Sequence, residues 1–126
     1  MRPSEEELAA LEEEHGAVYQ VPFGADDEAP TLANAEHVFV IRRPRRAAFE
    51  RFERDCLDPK RQIVALRNLA VDCIVWPSKE EREKVYEDVP GAAVLCAGEA
   101  AALGRGDAAE RAKRWKASTS NLAATR

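Results

Sequence analysis

The sequence predicts an α+β domain: mostly a helical bundle, with a two-stranded antiparallel β-ribbon near the N-terminus. Three observations carry this prediction. Within 17–42, the segments 17–23 and 37–42 are rich in Val, Ile, Phe and Tyr, as strands are. From Pro44 onward, apolar residues recur instead at helical spacing, and Pro and Gly divide the chain into separate helices. A two-stranded ribbon is only marginally stable alone, so its apolar face is expected to rest on those helices.

The N-terminal helix is predicted over about residues 4–15. Ser4 and Glu7 have the spacing of a capping box, and Gly16 suits the position after a helix end. The ribbon follows, and its connection, residues 24–36, is too long and too acidic for a tight turn. We therefore expect this connection to be a mobile loop.

Residues 44–116 are predicted to form the helical bundle. Its central helix, over 60–76, is apolar almost all round near its end, which is typical of a core helix. Pro77 ends this helix, two shorter helices follow, and a last amphipathic turn includes Trp115. The predicted core members are Phe39, Ile41, Leu57, Ile63, Leu66, Leu69, Ile74 and Val94. Residues 1–116 thus form one domain, and 117–126 are predicted to be a disordered tail.

Composition excludes several classes of protein. A chain of 126 residues with 45% apolar and 33% charged residues suits one globular domain, and no window resembles a membrane span. The acidic N-terminus lacks the apolar core of a secretory signal, so we expect the protein in the cytoplasm. Cys56, Cys73 and Cys96 match no zinc spacing and lie among apolar residues, which predicts buried free thiols.

Charge is distributed unevenly along the chain. Residues 1–37 carry a net charge of −9, residues 38–67 carry +5, and residues 68–126 carry none. Three explanations remain open: the two charged segments pair within one chain, they pair between copies, or one of them steers a partner.

Candidate catalytic residues are few. His15 and His37 are the two histidines, and their positions suit a helix end and a strand start. The chain has no phosphate-binding, dinucleotide-binding or nucleophile-elbow motif, and Cys96 has no basic neighbour to activate its thiol. We therefore expect no enzyme activity, no cofactor and no metal site.

An arginine cluster is the one charge pattern with a candidate function. It consists of Arg42, Arg43, Arg45 and Arg46. Interleaved acidic residues and the lack of alternating aromatic residues disfavour a nucleic-acid site. The other two interpretations are a solvated helix start and electrostatic docking onto an acidic protein surface.

Several segments, taken in order, resemble a known family. These are His15-Gly16-Ala17-Val18-Tyr19-Gln20-Val21, Ile41-Arg42-Arg43-Pro44, the run from Leu69 to Pro77, and Val89-Pro90-Gly91-Ala92-Ala93. Their order after an acidic helix is similar to that in the small tail assembly chaperones of tailed bacteriophages and prophages. The resemblance covers about residues 5–103.

This resemblance implies a non-enzymatic protein of the host bacterial cytoplasm or the virion. It would bind the long apolar helices of the tape-measure protein and keep that protein soluble while the tail tube forms. The residues themselves agree with this in one respect, because a small helical domain with a charged exterior can offer a groove for a helix. The candidate partner-binding residues are the arginine cluster together with Trp76, Leu95, Leu103 and Trp115. A structural component of a phage tail, which could form a homo-oligomer, and a small DNA-binding regulator using the arginine cluster are the two alternatives.

Overall fold

The computed structural model describes residues 1–24 and 28–116. The helices are α1 (Glu5–His15), α2 (Arg46–Cys56), α3 (Gln62–Cys73), α4 (Lys79–Asp88) and α5 (Ala92–Gly104), and the strands are β1 (Val18–Phe23), β2 (His37–Arg42), β3 (Ile74–Trp76) and β4 (Lys113–Arg114). A 3-10 turn, Pro59–Arg61, joins α2 to α3. None of the described helices combines the length and apolarity needed to cross a bilayer. The tail predicted over 117–126 lies outside the described residues.

The strands form one antiparallel sheet of four strands in the order β3-β2-β1-β4. The central pair runs from Val18 opposite Arg42 to Phe23 opposite His37. The predicted fold class, a mostly helical bundle with a two-stranded ribbon, is therefore wrong. The helices pack on a sheet that is twice as wide as expected, because two segments predicted to be helical are extended.

The first of these segments is β3. Helix α3 ends at Cys73, and Ile74–Trp76 pair with β2, with Ile74 opposite Ile41 and Trp76 opposite Val40. Two β-branched residues and a tryptophan suit a strand better than a helix end. The change from helix to strand at Ile74 could not be predicted from the sequence. A short apolar run has no periodicity that distinguishes a buried strand from a buried helix.

The second segment is β4, where the sequence predicted an amphipathic turn. Lys113 and Arg114 pair with Gln20 and Tyr19 of β1, and the Trp115 backbone N–H donates to the Val18 carbonyl at 2.9 Å. Both strand residues are exposed, so no apolar pattern marks this edge.

Apolar residues cover both faces of the sheet. Tyr19, Val21, Phe39 and Ile41 face the main core, which α3 and α5 complete. The main-core residues of α5 are mostly small: Ala92, Cys96, Ala97, Ala100, Ala101 and Leu103. Residues of the opposite pleat, Val18 and Val40, instead pack with Leu8 of α1 in a second, smaller core.

The part of the acidic connection that the structure describes contains a hydrogen-bonded turn. The Thr31 backbone N–H donates to Asn34 Oδ1 at 2.6 Å, and the Ala35 backbone N–H donates to the Thr31 carbonyl at 2.9 Å. The Glu36 backbone N–H also donates to the Gly24 carbonyl at 2.7 Å, which closes the connection at its base.

The predicted core is confirmed for Phe39, Ile41, Leu69 and Ile74, which are all buried, whereas Leu66 and Val94 are half-buried. It is wrong for Leu57 and Ile63, which are 84% and 53% exposed. Leu57 precedes the 3-10 turn that reverses the chain. On α3, Ile63 projects about 120° away from Leu69, because each residue turns the helix by about 100°.

Replacing Leu69 with Ala should destabilise the domain strongly. Leu69 is 1% exposed within the main core, so Leu69→Ala should lower the free energy of unfolding by about 2–5 kcal/mol. Val71→Ala on the same helix is the matched control, because Val71 is 70% exposed and should change stability by less than about 0.5 kcal/mol. Urea unfolding followed by circular dichroism measures both, and equal losses would contradict this assignment of the two faces of α3.

Candidate protein-binding surface

Helix α3 carries an apolar stripe on its outer face, formed by Ile63, Val64 and Val71. These side chains are 53%, 50% and 70% exposed. Val64 and Val71 are seven residues apart, which places them on the same side of the helix. Arg67 and Asn68, which are also exposed, lie between Val64 and Val71 on this side. The three exposed branched side chains make this face of α3 a candidate interaction site.

The stripe leads into a groove between α3 and α4, which we call the α3–α4 groove. Its volume is about 470 Å³, and Val71 forms part of its wall. Ala70 of α3, Ile74 of β3 and Ala93 of α5 supply apolar lining. The charged lining residues are Arg67 of α3 and Lys79, Arg82 and Glu83 of α4. An apolar groove with a few charged groups at its edge is the usual form of a binding site.

Two hydrogen bonds fix the start of α4. Ser78 caps α4 by accepting from the Glu81 backbone N–H at 3.4 Å. Arg82 Nη1 donates to the Pro77 carbonyl at 2.8 Å, which turns the Arg82 side chain back toward β3. These contacts place Arg82 in the wall of the groove.

Tyr86 also lines the groove and reaches into the main core, where its ring lies 6.1 Å from that of Phe39. Burial raises the pKa of the Tyr86 hydroxyl above its ordinary value, and the nearby charge of Arg82 opposes that rise. The phenol is therefore neutral at physiological pH and can donate a hydrogen bond.

The arginine cluster divides into structural and exposed members. Arg42 donates from Nε and Nη2 to the Asp72 carbonyl at 3.1 and 2.7 Å, so it ties β2 to α3. Arg43 Nη2 contacts the Tyr19 hydroxyl at 3.4 Å. Arg45 and Arg46 are exposed at the start of α2, where Arg46 pairs with Glu50 at 2.9 Å.

The four predicted apolar anchors do not form one surface. Leu103 is buried in the main core, whereas Trp76 and Trp115 pack beside the second core. Trp76 also donates from Nε1 to Glu7 Oε2 at 2.8 Å, which ties β3 to α1. Leu95, on α5, is 41% exposed. Of the four, Leu95 alone is exposed enough to add directly to an apolar docking surface.

The candidate surface on α3 and α4 was not predicted from the sequence, for a definite reason. The residues at issue are Val64 and Val71 on α3, and Arg82 and Tyr86 on α4. Because α3 is apolar almost all round near its end, it was expected to be fully buried, and an exposed face was not predicted. Helix α4 looked like a short polar helix without a role. Arg82 and Tyr86 are four residues apart and therefore lie on one side of α4. This spacing was the signal in the sequence for a shared surface.

His37 lies close to two carboxylates. Its Nε2 atom is buried and lies 3.5 Å from Asp88 Oδ2 and 3.8 Å from Glu36 Oε1. These three side chains offer potential metal ligands within 4.8 Å of one another. However, Nδ1 lies 3.5 Å from the amino group of Met1, which is a hydrogen-bond donor. A metal-bound imidazole needs an acceptor beside its second nitrogen, so this arrangement suits a charge cluster better than a metal centre.

The buried thiols are poor nucleophiles. Burial raises the pKa of Cys73 to about 12 and raises that of Cys96 strongly as well. A cysteine that reacts as a thiolate at neutral pH needs a lowered pKa instead.

The comparisons with known proteins identify a family. A family model described as a domain of unknown function, DUF6848, matches residues 11–109, which is more than three quarters of the chain. This chain belongs to the DUF6848 family. The DUF6848 match includes the apolar stripe and every residue that lines the α3–α4 groove. The searches of curated proteins and of solved structures returned no match.

Glu7 should make stability depend on pH. Hydrogen bonds from the Ser4 backbone and then from Trp76 lower the pKa of Glu7 below its ordinary value of 4.5. The ionised carboxylate therefore stabilises the fold at neutral pH, and this contribution is lost as pH falls through the lowered pKa. Glu7→Gln should lower Tm at pH 7, and the difference from the wild type should shrink on acidification.

Thermal melts between pH 7 and pH 2 test this dependence. Glu13→Gln on the same helix is the matched control for the loss of one negative charge. If both variants gave the same Tm profile, the hydrogen bonds that Glu7 accepts from Ser4 and Trp76 would not be the cause.

The cysteines should differ in their reactivity. In the folded protein, iodoacetamide should label Cys56 slowly, because burial and the charge of Asp55 raise its pKa, and should leave Cys73 and Cys96 unlabelled. Mass spectrometry after labelling measures this, and Cys56→Ser should abolish labelling. All three should react in urea, whereas equal labelling in the folded state would contradict the described burial.

Proposed function

We propose that this chain is a non-enzymatic, tail assembly chaperone-like protein that binds an apolar helix of a phage tape-measure protein during tail assembly. The observation that carries the proposal is the apolar stripe on α3 and its continuation into the α3–α4 groove. The resemblance of the sequence to tail assembly chaperones supplies the identity of the partner. The proposed place of action is the host cytoplasm, before or during incorporation of the partner into the tail.

The dimensions of the surface suit a short stretch of helix. Helix α3 has 12 residues and is therefore about 18 Å long, which equals about three turns of a partner helix lying along it. A helix laid into an apolar groove contacts it through residues three, four and seven apart. The branched side chains exposed on α3 can pack against such residues of a partner helix.

The binding free energy that one copy of this chain can contribute through the stripe is small. Burying the three half-exposed stripe residues should contribute roughly 1 kcal/mol each, since complete burial of such a side chain contributes about 1.5–3 kcal/mol. Association of two molecules costs at least about 4 kcal/mol in lost freedom. Stable coverage of a long partner would therefore depend on several copies, or on further contacts at the exposed Leu95 on α5 and at the charged groups of the groove.

A structural component of a phage tail is the second candidate, and one observation favours it. Among the described residues, no ion pair joins the acidic segment 1–37 to the basic segment 38–67. The exposed carboxylates of α1 and the exposed Arg45 are thus available to neighbouring copies, whereas Arg46 already pairs with Glu50. A DNA-binding role has less support, because Ile63, Val64 and Val71, which are all exposed on α3, cannot donate or accept hydrogen bonds at base edges.

Co-expression with the tape-measure protein tests the proposal. The wild-type chain should raise the soluble fraction of that protein and should co-purify with it. Val64→Asp combined with Val71→Asp should abolish both effects, because the two charges cannot be buried against an apolar helix. Gel densitometry of the soluble fraction measures the outcome.

Gln62→Asp combined with Lys84→Gln is the matched control. It makes the same change in net charge at exposed positions outside the stripe and the groove. If the two double variants were equally active, the stripe would not be the binding surface. If the wild type left the tape-measure protein insoluble, the chaperone role itself would be wrong.

A further inference from the structure

The α3–α4 groove has a charge opposite to that of the whole chain. Its lining contains three cations, Arg67, Lys79 and Arg82, and one carboxylate, Glu83. The chain as a whole carries a net charge of −4. A local excess of positive charge beside an apolar wall favours a ligand that is both apolar and anionic.

Arg82 is the best positioned of these cations. Its side chain is half-buried, and the bond from Nη1 to the Pro77 carbonyl at 2.8 Å holds one end of the guanidinium. A guanidinium has five N–H donors in a planar fork, so donors remain for a carboxylate. Because the side chain is already held in place, binding loses less conformational entropy.

Tyr86 adds a neutral donor to the same wall. Its ring is anchored against the main core, while the residue lines the groove beside Arg82. An arginine fork and a phenol hydroxyl together can satisfy several lone pairs of one carboxylate. The apolar lining beside them, Ala70 and Ile74, excludes water from one side and strengthens the contact.

We propose that the α3–α4 groove recognises an acidic side chain of the partner helix, placed about two turns from the apolar residue that contacts Val64. The spacing follows from α3 itself, where Val64 and Val71 are seven residues and hence about 10 Å apart. The occupant is therefore an amphipathic helix with Asp or Glu beside its apolar face. This inference rests on the proposed function and adds the chemistry of the bound segment.

Synthetic helical peptides provide the probe. Three fluorescein-labelled peptides share one leucine face and differ at a single position, seven residues after a central leucine, which holds Glu, Gln or Lys. The Glu peptide should bind the full chain about tenfold more tightly than the Gln peptide, the effect of one charge-assisted contact. Fluorescence anisotropy measures each Kd, and the preference should fall in 0.5 M NaCl.

Charge reversal in the groove provides the decisive comparison. Arg67 is exposed, so Arg67→Glu should leave the fold intact, abolish the preference for Glu and favour the Lys peptide instead. Arg51→Glu makes the same charge change at an exposed position on α2 and should keep the wild-type preference. Arg82→Lys keeps the charge but loses the fork, and should reduce the preference while circular dichroism shows a folded protein.

The failures of the two proposals are distinguishable. If all three peptides bound equally and Arg67→Glu behaved like Arg51→Glu, recognition of a carboxylate would be wrong. The helix-binding role would still stand if Val64→Asp with Val71→Asp abolished peptide binding. If millimolar inorganic phosphate displaced the Glu peptide, and a peptide with alanines in place of the leucines bound as well, the groove would be a small-anion site and the inference would be overturned.

Discussion

The pairing of β3 with β2 determines where α3 ends and where α4 begins. Strand β2 is buried on both faces, with Phe39 and Ile41 in the main core and Val40 in the second core. When Ile74–Trp76 pair with it, α3 must end at Cys73 and the chain must leave along the sheet edge. Helix α4 then starts beside α3, and the space left between these two helices is the α3–α4 groove. The sheet topology and the α3–α4 groove therefore have one physical origin.

The same arrangement gives α3 one buried side and one exposed side. Small residues on α5 allow it to pack against α3 and the sheet, which buries Leu69 and Cys73 on one side of α3. The other side of α3 is left with no covering element among the described residues, so Val64 and Val71 stay exposed. A domain of this size has limited apolar surface, and exposure of branched residues costs solvation free energy without helping the fold. Use of that face by a partner is the physical role that this cost suggests.

Much of the local structure could be predicted from the sequence, whereas the sheet could not. The capping box of Ser4 and Glu7 forms as predicted, and the first two strands pair antiparallel as expected. The helix predicted over 60–76 is shorter because Ile74–Trp76 carry an apolar signal that suits either structure. Strand β4 consists of two charged residues on an exposed edge, and its pairing with β1 depends on contacts distant in sequence.

The sequence by itself determined the composition of the domain, its helix starts and its unequal distribution of charge, because caps, turns and periodicity act between near neighbours. Tertiary structure alone decided which apolar residues are core and which form a surface. Leu69 and Val71 are two residues apart, yet one is buried and the other is exposed, since α5 covers only one side of α3. It also decided that Arg42 ties β2 to α3 while Arg82 lines a groove, because an arginine acquires its role from the groups that packing places beside it.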